Sequence, residues 1–179
     1  MLCKARHYIP INELKSLYYA IFSSHLVYGC QIWGQVDNTF NAKVFKLQNR
    51  ALRIITFSNF RANSLPLFHH LNILRLREQI FLQNCLFVYD TLKKTSPLCF
   101  HQYFNHTKNI HNLHTRCSNL GCLYAERSQS IRFGINSITS QCISNWNDIT
   151  KKFNTDPLSF TRSKLKNNIK LHFTQSYCN

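Results

Sequence analysis

The stretch Asn41-Ala42-Lys43-Val44-Phe45-Lys46-Leu47-Gln48-Asn49-Arg50-Ala51-Leu52-Arg53-Ile54-Ile55 decides how this chain is read. At about 100° per residue, Val44, Leu47, Ala51 and Ile54 share one narrow face, so a helix docking on a core through that face is predicted. Lys43, Lys46, Arg50 and Arg53 repeat the same three-four-three spacing one residue earlier and form a ridge of cations beside the apolar stripe. No acidic residue between Thr39 and Glu78 neutralises the ridge. Two readings stay open: a solvated helix face, which is what most charge runs are, or cations spaced to follow a phosphate backbone.

Helical spacing continues on both sides. Ile11, Leu14, Leu17, Tyr18, Ile21, Phe22 and Leu26 predict a helix ending near Tyr28-Gly29, where glycine can turn left-handed. A link from Cys30 to Asn38 follows. Ser64-Leu65-Pro66 opens a helix running to Leu71. The segment from about Leu74 to Lys94 is apolar around much of its circumference, the mark of a central helix, with Lys93-Lys94 suiting its C-terminal dipole and Ser96-Pro97 as its stop. Residues 105–134 are polar and helix-poor, with Leu123-Tyr124 and Ser130-Ile131-Arg132-Phe133 as strand-like pieces. Helical order returns from Ile135 to Ile149. Asp156-Pro157 is a start signal for a last helix presenting Leu158, Leu165, Ile169 and Phe173 on one side and Arg162, Lys166 and Lys170 elsewhere. The expected fold is mainly α: a helical bundle over residues 1–97, then a lobe over 98–179 with a minor strand element and two helices.

Composition narrows the function. The chain has 179 residues, with 22 Lys and Arg against 7 Asp and Glu, a formal charge of +15. Hydrophobic residues make up 44% and aromatics 13%, ample for a core, while only 16% are charged. The chain is thus basic through a shortage of acids. Such a surface attracts polyanions, nucleic acid first and anionic membrane second. No apolar run approaches the roughly 18 residues of a membrane-spanning helix. The start, Met1-Leu2-Cys3-Lys4-Ala5-Arg6, lacks a secretory signal pattern, so an intracellular location, cytoplasm or nucleus, and reduced thiols are expected. The 8 Cys contain no Cys-x-x-Cys pair.

Candidate chemistry is sparse. His106, His111, His114, Cys117 and Cys122 lie in one polar segment, with spacings a structural zinc site tolerates. The knuckle turns of such a site are missing, and the alternative is surface histidines beside two ordinary buried thiols. Two-metal nucleotidyl transfer needs clustered carboxylates. Glu13, Asp37, Glu78, Asp90, Glu126, Asp148 and Asp156 include no pair adjacent or a helical turn apart, and the four glycines form no phosphate-cradling loop. No catalytic residue and no cofactor is assigned. Trp33 and Trp146 could stack on bases, but their positions favour core packing.

The order of several segments resembles one family. Leu17-Tyr18-Tyr19-Ala20-Ile21, His25-Leu26-Val27-Tyr28-Gly29 and Ile32-Trp33-Gly34 lead into the helix Leu47-Gln48-Asn49-Arg50-Ala51-Leu52-Arg53-Ile54-Ile55. Pro66-Leu67, Leu71-Asn72-Ile73-Leu74, Phe87-Val88-Tyr89, Ser96-Pro97, His114-Thr115-Arg116, Ser130-Ile131-Arg132-Phe133-Gly134, Trp146-Asn147 and Lys164-Leu165-Lys166 follow in order. Together they resemble the region downstream of the palm in non-LTR (LINE-type, Jockey-like) retrotransposon reverse transcriptases, over nearly the whole chain. The resemblance implies the thumb and C-terminal region of an RNA-directed DNA polymerase encoded by a transposable element. It implies RNA or RNA–DNA template–primer as partner, gripped through Lys43, Lys46, Arg50 and Arg53, alongside the fingers and palm of the parent enzyme. Those domains, with their Asp-Asp metal motif, match no position here, so the fragment is expected to bind without catalysing. Asp148-Ile149 stands where the family often has Leu-Pro. Two rival expectations are a zinc-stabilised nucleic-acid-binding module and a helical interaction protein whose basic helices meet acidic partners or a membrane surface.

Overall fold

The computed structural model describes residues 2–35, 38–110, 115–126 and 137–177. The fold is mainly α. A short helix α1 (Leu2–Ala5) precedes α2 (Ile11–Leu17), which passes through a π-helical turn, Tyr18–Ser23, into α3 (Ser24–Val27). Gly29 then takes the left-handed conformation, φ 59°, where the sequence placed the stop. The expected link is partly helical: α4 (Cys30–Trp33) fills its first half. Next come α5 (Asn38–Ile55), α6 (Leu65–Leu71) and α7 (Leu76–Leu92). The start of α6 is held by Asn63, whose Oδ1 accepts the Leu65 N–H at 3.1 Å, and its end by left-handed Asn72.

Two compact units divide the chain. The first comprises residues 1–80 and 170–179, the second residues 81–169. The residues of α7 fall in both units. Buried positions lie around most of that helix, Glu78 and Asn84 among them, and Ser96-Pro97 follows its end. The first unit centres on Leu14, Tyr18, Leu52, Ile55, Phe68 and Leu71, closed by Tyr177 from the chain end. A smaller cluster joins Leu26, Cys30, Leu76 and Ile80.

In the second unit, α8 (Thr107–Ile110) and α9 (Arg116–Asn119) are short helical turns within the segment expected to be helix-poor. Thr115 and Ser118 cap α9 reciprocally, a local signal that four residues suffice to satisfy. Among the described residues the strand element shrinks to one antiparallel bridge, His106 with Leu123. Ser130 to Phe133 lie outside the described residues. Helix α10 (Ile138–Phe153) starts at a Ser137 cap, and α11 (Arg162–Gln175) ends the fold. Asp156-Pro157 does not open α11. Its carboxylate accepts the Leu158 N–H at 2.9 Å and caps a separate 3₁₀ turn, Pro157–Ser159. Extended Phe160, whose carbonyl accepts the Tyr89 hydroxyl at 2.9 Å, separates that turn from α11. Leu165 and Ile169 are buried, Phe173 and Leu158 half-buried, and Lys166 exposed.

Candidate nucleic-acid interface

Three parallel rows on α5 share one spacing. Phe45, Gln48, Leu52 and Ile55 form the inward row: Gln48, Leu52 and Ile55 are buried, and Phe45 is half-buried and stacked on Phe68 at 6.0 Å. Of Val44, Leu47, Ala51 and Ile54, expected to be the docking stripe, Ala51 is buried in the core and Val44 and Ile54 are half-buried, but Leu47 is 56% exposed. The inward face is thus centred nearer the Gln48 row than the expected stripe, by less than one residue of helical rotation.

Gln48 is the cause. It is 1% exposed, yet every polar atom of its side chain has a partner. Its Nε2 donates to the Leu74 carbonyl at 2.9 Å and to the Tyr18 hydroxyl at 3.1 Å, and its Oε1 accepts the Leu76 N–H at 3.0 Å. Leu74 and Leu76 straddle the start of α7, where backbone groups have no helical partner. Burial pushes the Tyr18 phenol up to about 12, so it stays protonated. One amide thereby joins α5 to the π-helical turn and to the entry of α7, and it fixes the rotation of α5.

With that rotation set, Lys43, Lys46 and Arg50 are exposed. Arg53 is half-buried and its Nε donates to the Ala62 carbonyl at 2.9 Å, which ties its guanidinium to the turn after α5. The ion pairs among the described residues lie elsewhere. Arg75 pairs with Glu78 at 2.5 Å, and Arg162 with Asp90 at 2.8 Å through two hydrogen bonds. None of the four ridge cations meets a carboxylate there. Glu78 also accepts the Arg75 N–H at 3.1 Å, which satisfies the first turn of α7. Burial pushes its carboxyl up, opposed by Arg75.

The described part of the polar segment in the second unit is held by packing and hydrogen bonds. Asn147 on α10 brackets Leu123, accepting its N–H at 2.7 Å and donating to its carbonyl at 2.9 Å. Neighbouring Trp146, fully buried, donates Nε1 to the Gly121 carbonyl at 3.3 Å. Trp146 is thus a core residue, and the Trp146-Asn147 pair clamps residues 121–123. Burial and contact with the Cys117 thiol push Cys122 up to about 11. His106 is held below the usual histidine range by burial and then by Lys108. His111 and His114 lie outside the described residues. Among the described residues, no three His, Cys, Asp or Glu side chains gather to hold a metal. The role of Asn147 escaped the sequence reading, because an amide that imitates a strand partner leaves no periodic trace.

No helix among the described residues is long and apolar enough to cross a membrane. In comparisons with known proteins, no family model, curated protein or solved structure matches this chain.

Proposed function

We propose that this chain is the thumb-side, C-terminal fragment of a non-LTR retrotransposon reverse transcriptase. It grips template–primer through phosphates and leaves nucleotidyl transfer to fingers and palm carried on other sequence. The observation that carries the reading is the exposed row Lys43, Lys46 and Arg50 on an 18-residue helix, without a carboxylate partner among the described residues. The excess of 22 basic over 7 acidic residues supports the same partner. The ordered resemblance of nearly the whole sequence supplies the family. Binding without catalysis follows from the scattered acids: Glu78 and Asp90 are taken by arginines and Asp156 by a cap. The chain works inside the cell, where nucleic acid is available and thiols stay reduced.

Phosphate-led binding has a signature. Affinity for an RNA–DNA duplex should fall linearly on a log–log plot against salt, and each cation removed should lower the slope by about one. Lys43→Ala, Lys46→Ala and Arg50→Ala combined should weaken all duplex sequences alike and flatten the slope by about three. Arg53→Ala should cost stability as well, since it also frees the Ala62 carbonyl. Salt-independent binding, or an unchanged slope in the triple variant, refutes the reading.

A further inference from the structure

One corner of the first unit exposes more aromatic and aliphatic surface than its core needs. Tyr28 is 85% exposed, Ile32 66% and Phe40 49%. Trp33 links the Tyr28 backbone to Phe40. Its Nε1 donates to the Tyr28 carbonyl at 2.9 Å, and its ring meets Phe40 edge-on at 6.0 Å. Left-handed Gly29 turns the chain between Tyr28 and α4. The corner is therefore built, with one half-buried indole hydrogen-bonded to the Tyr28 backbone and packed edge-on against the exposed Phe40 ring. Phe40 also belongs to the cation face of α5, since Phe40, Lys43, Leu47 and Arg50 follow one another at spacings of three, four and three. Rings at one end of an unpaired row of cations match a polyanion that carries flat apolar groups at the same point.

We infer that the Tyr28–Phe40 corner is a stacking platform for unpaired bases, so that the α5 surface prefers nucleic acid with a single-stranded tail at the end of a duplex. The inference rests on the phosphate-binding reading of α5 and adds what the ridge cannot supply, because cations alone do not distinguish paired from unpaired bases. Every base has a π-face, so the preference is for unpairedness and not for sequence. Paired bases inside a duplex present only their edges to such a corner. An anionic membrane surface would suit the same cations and rings, but a stacking platform responds to bases and a membrane-binding face does not.

The test uses the full chain and three fluorescent probes: a blunt RNA–DNA duplex, the same duplex with a short unpaired tail, and the duplex with a tail of abasic nucleotides. The tailed duplex should bind tighter than the abasic one by about five-fold or more for each stacked base. Tyr28→Ala with Phe40→Ala should erase the difference between based and abasic tails, and Phe40→Tyr should keep it. Equal affinity for based and abasic tails, or a gain that survives in the double alanine variant, overturns the platform while leaving the ridge intact. Failure of all three probes to bind overturns both. If the double variant loses binding to phosphatidylserine vesicles but keeps the tail preference, the corner belongs to a membrane and the platform is overturned.

Discussion

Replacing Gln48 with methionine preserves length and volume and removes both the donor and the acceptor. Three partners lose their bond at once: the Leu74 carbonyl, the Leu76 N–H and the Tyr18 hydroxyl. Each backbone group left unsatisfied in the interior costs about 1–3 kcal/mol, so the two at the entry of α7 cost about 2–6 kcal/mol. A thioether chain in place of an amide returns roughly 1–2 kcal/mol of apolar burial. The net expectation is a loss of up to about 5 kcal/mol, read as a shift of the urea midpoint with unchanged slope. A second effect separates this account from general destabilisation. Freed of its amide, α5 can turn by one residue, burying Leu47 and swinging Lys43, Lys46 and Arg50 off their present face. Under conditions where the variant is still folded, its affinity for RNA–DNA duplex should fall although no cation has been touched. A Gln48→Met protein of parental stability and parental affinity would refute the claim that this side chain sets the helix rotation.

Two further outcomes test the second unit. Gly121 has φ 81°, and a Cβ there would come within 2.8 Å of the Asp156 carboxylate. Gly121→Ala therefore combines a left-handed backbone cost of about 1–2 kcal/mol with damage to the Pro157–Ser159 cap, and should lower the melting temperature by several degrees or more. An unchanged melting temperature would remove the claim of close approach. His106 is held below its ordinary value by burial, with Lys108 adding to the effect and Asp156 opposing it. A histidine depressed in the folded state contributes stability that is present above its unfolded pKa, about 6.5, and is lost as pH falls through the folded value. Its Nδ1 is buried and has no hydrogen-bond partner among the described residues. Acidification from about pH 7.5 to about 5.5 should thus destabilise the parent more than His106→Asn, by calorimetry, and equal losses would refute this.

Helices were legible where a regular apolar period ran for several turns, because burial of one face dominates local preference. The apolar character of much of the segment from about Leu74 to Lys94 marked a helix, found over Leu76–Leu92, and Gly29 marked a stop through its left-handed φ. Departures came where two conformations satisfy the same local chemistry. An Asp cap followed by proline opens any helical turn, and this one gives way after three residues to extended Phe160, whose carbonyl accepts the distant Tyr89 hydroxyl. The π-helical turn at Tyr18–Ser23 holds an extra residue per turn, which spacings of three and four do not record.

The ridge and the docking face of α5 differ in how far sequence alone could place them. Cations spaced three, four and three must share a helical face, and desolvation drives that face outward whatever the helix packs on. Lys43, Lys46 and Arg50 are accordingly exposed. The inward face has no such compulsion. An apolar row at 44, 47, 51 and 54 and a mixed row at 45, 48, 52 and 55 are adjacent candidates, and hydrophobicity alone selects the first. What reverses the choice is distant in sequence: the Leu74 carbonyl and the Leu76 N–H, 26 and 28 residues away, need a partner that can both donate and accept. Leucine at 47 can do neither, and glutamine at 48 does both. The exposed Leu47 beside the cations is therefore a consequence of solving the hydrogen bonding at the entry of α7. The same rotation leaves Phe40 and Leu47 among the lysines, so the mixed apolar and cationic character of the surface follows from one buried amide.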